Sequence, residues 1–264
     1  MKTTIIAAAL AVASGQALAG NVWLNSAKVS NYTETGSVGQ AKYRMSNTNF
    51  DMSLDHGLGT NPGQFISHGL GNNTQLNNVV FNFSVNFIAG EGMIFRMVNT
   101  NTNAAFNLAW GTFSSPLPAG TTNSVATLNG FAPNRSFNTI QLFADARFNP
   151  SQMQWSNLAF TSAGLTVADN SLLTGGQVEN PENPGSPPPG TQHTQRIVSD
   201  MDLSTFNWTL TGQIRGYRTG AGGDELTRYV IGLKESNFQI IPLPTGAGLA
   251  FAGLGVLGVR RRRA

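Results

Sequence analysis

The sequence predicts an all-β fold, an antiparallel β-sandwich of jelly-roll-like kind, flanked by an N-terminal signal helix and a C-terminal transmembrane helix. Three observations lead there. Residues 79–88 alternate Phe81, Phe83, Val85 and Phe87 with Asn82, Ser84 and Asn86, and a period of two puts the apolar groups on one face and the polar ones on the other. Short apolar pieces recur along the body between turn signals drawn from 30 glycines, 12 prolines and many asparagines. No stretch between the two ends carries an amphipathic helical period, and no repeat of fixed length appears.

Taken in order, Val22-Trp23-Leu24 opens the first strand and residues 41–45 form a second candidate. Residues 55–73 hold Gly57, Gly59, Pro62, Gly63, Gly69 and Gly71, a density of breakers that reads as loop. Residues 79–88 and 93–99, joined by Ala89-Gly90-Glu91-Gly92, make a hairpin. Leu108-Ala109-Trp110 and Phe113 mark a short strand, residues 124–128 are weakly β, and residues 136–148 and 154–161 are strands. Residues 174–195 are proline-rich with nothing to pack, and serve as an interdomain spacer or as a loop of one sandwich. Beyond them, Leu203, Phe206, Trp208, Leu210 and Ile214 mark a long strand that turns at residues 220–224 and returns over 226–234. This last piece is too small to stand alone without cysteines, so it is expected to pack on the earlier sheet.

The two ends are signals. Lys2, the apolar residues 5–12 and Ala17-Leu18-Ala19 form the charged region, hydrophobic region and A-x-A site of a secretory signal peptide cut after Ala19. At the other end, the 17 residues from Leu243 to Val259 carry no charge. At about 1.5 Å per residue they make a helix of roughly 25 Å, at the short end of what spans a hydrocarbon core of about 30 Å. Arg260, Arg261, Arg262 and Arg263 follow and favour the cytoplasmic side, which leaves the body outside.

The order of a proline motif, a short apolar helix and a terminal basic cluster resembles the PEP-CTERM sorting signal, which an exosortase recognises and cleaves in the cytoplasmic membrane of Gram-negative bacteria. The usual motif is Val-Pro-Glu-Pro. Here Ile241 is followed by Pro242, Leu243 and Pro244, similar to the variant class with a Val-Pro-Leu-Pro core. The resemblance covers residues 240–264. It implies signal peptidase and exosortase as partners, a transient inner-membrane anchor, and delivery to the cell envelope or the medium. Residues 79–99 and 128–160 also loosely resemble the β-rich ectodomains grouped as choice-of-anchor domains, which implies a surface or extracellular-matrix role. The chain then divides into a signal peptide (1–19), a β-sandwich body (20–240) and a sorting and anchor segment (241–264).

Charge follows the same division. Of 16 basic residues, Lys2 and the four terminal arginines belong to the signals, so the body sets 11 against 13 acidic residues and carries a formal charge of −2. The chain's overall +3 therefore belongs to its ends, and nucleic acid is not an expected partner of the body. There is no cysteine, which excludes disulfides, thiol catalysis and cysteine-ligated zinc.

Candidate chemistry in the body is sparse. Asp51, Asp55, His56 and His68 are a conceivable metal group without zinc spacing, and His193 falls in the proline-rich stretch. Asp200-x-Asp202 offers the one calcium candidate. Asp145, Asp200, Asp202, Asp224 and Glu225 could supply a glycosidase pair, but no Gly-x-Ser-x-Gly elbow supports a serine hydrolase. Trp110, Trp155 and Trp208 are sugar-stacking candidates where they face outward, and core residues otherwise. The expectation is a non-enzymatic surface or matrix protein without cofactor. The alternatives are a carbohydrate-binding module for exopolysaccharide and, third, a secreted hydrolase.

Overall fold

The structure, a computed structural model, describes residues 20–24, 29–46, 49–55, 65–123, 135–146, 150–168, 172–180, 191–218 and 227–240. The signal peptide, the sorting motif and the terminal arginines lie outside the described residues. Among those described, no helix is long and apolar enough to cross a membrane.

The fold is all-β, with two sheets. The first has eight strands in the spatial order β11 (Leu165–Val167), β1 (Gly20–Trp23), β13 (Gln192–Ser199), β9 (Thr139–Ala146), β15 (Thr227–Ile240), β2 (Val29–Met45), β3 (Asn49–Asp55) and β4 (Phe65–Asn72). The second has seven: β12 (Gly176–Asn180), β10 (Ser151–Ser162), β14 (Trp208–Arg218), β5 (Val80–Ile88), β6 (Gly92–Asn99), β7 (Ala105–Gly111) and β8 (Thr121–Asn123). Both sheets are mixed, which corrects the purely antiparallel expectation. β1 runs parallel to β11 and β7 parallel to β8, while the other pairings among the described residues are antiparallel.

Aromatic side chains join the layers. Tyr43 of β2 lies 5.9 Å from Phe81 of β5, Phe83 lies 6.0 Å from Tyr229 of β15, and Tyr229 lies 5.8 Å from Trp155 of β10. Near one end Phe87 stacks on Trp208 at 5.4 Å and meets the edge of Phe137 at 5.2 Å. These rings belong to one continuous core, in which Phe81, Phe83, Val85 and Phe87 all sit within 4% exposure. Period two in β5 therefore places its apolar side chains in the core, as expected, and the β5–β6 hairpin pairs Phe87 with Met93 in register.

Three expectations need correction. Part of the glycine-rich stretch 55–73 is strand: β4 pairs with β3, with a register shift between Phe50 and Asp51. Gly71, at φ +145, provides the conformation that a side-chain residue avoids. Residues 29–45 form one 17-residue strand, of which only the last five carried a visible signal. Its first half is mostly exposed, so no alternation marks it. The long strand expected from Leu203 starts instead with a 3-10 turn at Leu203–Thr205, and β14 begins at Trp208.

The proline-rich stretch is bounded by strands of both sheets. β12 pairs with β10, β13 lies between β1 and β9, and residues 181–190 between them are outside the described set. Beyond that stretch, β14 inserts between β10 and β5, and β15 between β9 and β2. The last third of the described chain therefore completes the middle of both layers, as its small size requires.

Candidate functional site

The register separates the residues first considered for metal binding. Asp51 and Asp55 share the outer face of β3, where Asp51 Oδ1 accepts from Arg44 Nε at 2.6 Å and Asp55 pairs with Lys42 Nζ at 2.8 Å. His68 lies opposite Met52, on the other face, with its ring 5.3 Å from that of Phe106. His56 lies outside the described residues. Among the described residues, no group of three or more His, Asp or Glu side chains could hold a metal ion. His193 sits on β13 rather than in a spacer, its ring 5.1 Å from that of Trp155.

The two aspartates of the calcium candidate brace loops. Asp200 accepts from the backbone N of Asn21 at 2.8 Å and from its Nδ2 at 3.0 Å, which ties the 3-10 turn region to β1. Asp202 is the N-cap of that turn and accepts from Ser204 N at 2.9 Å, Ser136 Oγ at 2.7 Å and Phe137 N at 3.2 Å. Burial alone raises the Asp202 carboxyl, but these donors outweigh it and hold the group below the usual carboxylate value. Asp145, the other described member of the glycosidase set, is 0% exposed and faces Arg228 Nη2 at 3.8 Å across the strand pair. Asp224 and Glu225 lie outside the described residues.

The tryptophans are core. Trp110, Trp155 and Trp208 are each no more than 3% exposed. Trp155 Nε1 donates to the Thr174 carbonyl at 3.1 Å, which anchors the segment leading into β12. None of the three presents a ring face to solvent, so the stacking platform considered from the sequence does not form.

A different surface emerges from the register. On the outer side of the seven-stranded sheet, Gln177 of β12 lies beside Gln154 of β10, Gln154 beside Arg215 of β14, and Gln213 beside Asn82 of β5. Further along, Thr211 lies beside Ser84 and Thr209 beside Asn86. Hydrogen bonds run across the strands. Asn157 Nδ2 donates to Gln213 Oε1 at 2.8 Å, and Gln213 Nε2 donates to Asn82 Oδ1 at 3.0 Å. Thr209 Oγ1 donates to Asn86 Oδ1 at 2.9 Å, while Arg215 donates to Gln154 and Gln154 to Gln177.

Besides a depression of about 250 Å³ beside Gln152, Glu179 and Tyr217, two larger ones mark this face. One, of about 430 Å³, lies among Gln154, Ser156, Gln177, Gln213 and Arg215. The other, of about 900 Å³, lies over Ser84, Asn86, Ile94, Arg96 and Thr209, with Pro118 at one side. The sequence showed half of this arrangement, the alternating Asn82, Ser84 and Asn86. It showed the hairpin partner β6 on one side of β5 but not β14, β10 and β12 on the other, and so could not assemble the amides into one surface. No family model matches this chain, and no curated protein matches it in sequence.

Proposed function

We propose that this chain is an exported, non-catalytic β-protein of the cell surface or extracellular matrix. In this reading it is cleaved after Ala19, held transiently in the inner membrane by residues 243–259 with Arg260–Arg263 on the cytoplasmic side, and then processed by an exosortase at Pro242-Leu243-Pro244. A jelly-roll-like path for the two-sheet body, with a signal helix before it and a single transmembrane helix after it, completes the proposal. The observation that carries it is the use of the body's carboxylates. Asp51, Asp55, Asp145, Asp200 and Asp202 are all engaged in ion pairs, braces or a cap, which argues for scaffold rather than chemistry.

Deleting residues 240–264 and fractionating the cells tests the sorting claim. The expected result is a changed distribution between membrane and soluble fractions, and an unchanged size and location would refute it. The secreted-hydrolase alternative draws no support from Asp145, Asp200 or Asp202 where they stand. The alternative of a carbohydrate-binding module for exopolysaccharide is favoured by one observation, the amide-covered outer face of the seven-stranded sheet.

A further inference from the structure

We propose that the outer face of the seven-stranded sheet is the docking surface for an extended, uncharged polysaccharide chain. The inference rests on the carbohydrate-binding reading and assigns it a place and a ligand class.

The face has the size for a polymer. Thr209, Thr211, Gln213 and Arg215 point outward at alternate positions of β14, and six residue steps along a strand cover about 20 Å. Five strands from β12 to β6 cover about 20 Å across, at roughly 4.8 Å per strand. The two depressions lie at successive levels of this face, one lined by Gln213 and Arg215 and the other by Thr209, so a chain laid along β14 passes through both.

Its chemistry matches hydroxyls. An amide presents both donors and acceptors, as a sugar hydroxyl does. The cross-strand bonds hold the amides in place and leave capacity unused. Asn82 accepts from Gln213 and keeps both of its N–H donors, Gln213 keeps one, and Asn157 keeps its carbonyl oxygen. Side chains already ordered in the free protein lose little entropy on binding. Ile88 and Ile94, half-buried beside the second depression, offer apolar contact to sugar C–H groups.

The backbone adds an independent observation. Asn157 has φ +52, a left-handed conformation, at the register break between Ser156 and Ala159 in β10. Bulges of this kind re-aim a side chain. Here the break turns an exposed amide onto the face and into contact with Gln213.

Other ligands fit less well. Arg96 and Arg215 stand against Glu179, and the resulting net charge of about +1 is too small a field to steer a polyanion. Among the described residues, the exposed large hydrophobic side chains, Val167, Leu172 and Met201, lie elsewhere, and the aromatic on this face, Tyr217, is half-buried at the end of β14 and not central as a protein-interface anchor is.

The test is affinity electrophoresis of the full chain, in mild detergent, through gels containing a neutral β-glucan, a mannan or a dextran, with alginate as the anionic comparison. We expect retardation in at least one neutral polymer. Asn82→Ala with Gln213→Ala should weaken it about tenfold, the equivalent of one or two hydrogen bonds. Asn157→Gly separates function from folding: glycine suits φ +52, so the melting temperature should hold or rise while retardation falls. Retardation that survives both variants overturns this face as the site and leaves carbohydrate binding standing. No retardation in any gel, alginate included, overturns both readings. Retardation in alginate alone, or capture of an envelope protein without any neutral glycan binding, overturns the ligand class.

Discussion

Asp200 and Asp202 stand two residues apart with the same side chain, and the structure assigns them different weights. Asp202→Ala removes the cap bond to Ser204 N and the bonds from Ser136 Oγ and Phe137 N. Loss of a helix N-cap costs about 1 kcal/mol. Phe137 is 2% exposed, and leaving its N–H without a partner costs about 1–2 kcal/mol more. Ser136 is exposed and rehydrates at little cost. The sum is about 2–3 kcal/mol. Asp200→Ala loses two exposed bonds to Asn21 and should cost about 0.5 kcal/mol.

The difference should also depend on pH in one direction. The folded-state value of Asp202 lies below the ordinary one, so the unfolded chain binds its proton first as pH falls. The stabilisation is complete above about pH 4, the unfolded value, and disappears as pH drops through the lower folded value. Urea unfolding followed by tryptophan fluorescence suits the measurement, because Trp23, Trp110, Trp155 and Trp208 are all buried. Equal costs for the two substitutions at neutral pH, or an Asp202→Ala deficit that widens below pH 4, would refute the assignment.

Three further outcomes follow from the same coordinates. Gly111→Ala would place a Cβ 2.0 Å from the Glu91 carbonyl oxygen at φ +140, opposite Gly92, and should cost at least about 3 kcal/mol in the same urea assay. Tyr229→Phe removes a buried hydroxyl that has no partner and keeps the ring contacts to Phe83 and Trp155, so the melting temperature should stay level or rise by the equivalent of about 0.5–1 kcal/mol. Trp208→Ala opens a void beside Phe87 and Phe137 and should cost about 3–5 kcal/mol by denaturant titration.

What was legible in the sequence depended on burial contrast. β5 is buried on one side and solvated on the other, so its period of two is explicit. β14 alternates just as cleanly from Trp208 to Arg218, but the apolar Leu203 and Phe206 before it blurred its start. β2 and β15 were only partly visible. Residues 29–36 of β2 have no alternation, and β15 breaks register at three places from Leu233 onward. β4 was hidden because Gly69 and Gly71 read as breakers, although one of them serves a bulged strand pair. The parallel pairings set the short edge strands β11 and β8 beside β1 and β7, and no local pattern encodes them. The amide face was invisible for the same reason: Asn82, Asn157, Gln177 and Gln213 come from four strands, and only the register makes them neighbours. Asp202 stood out in the sequence only through the Asp200-x-Asp202 spacing and the count of carboxylates, and its place as the N-cap of a 3-10 turn came from the structure.

The intact mass of the chain recovered from the envelope or the medium tests the proposed address most directly. Signal-peptide cleavage and exosortase processing predict an N-terminus at Gly20 and a C-terminus near Pro244, without Arg260–Arg263. Recovery of a 28.0 kDa species that still begins at Met1 and ends at Ala264 would contradict it.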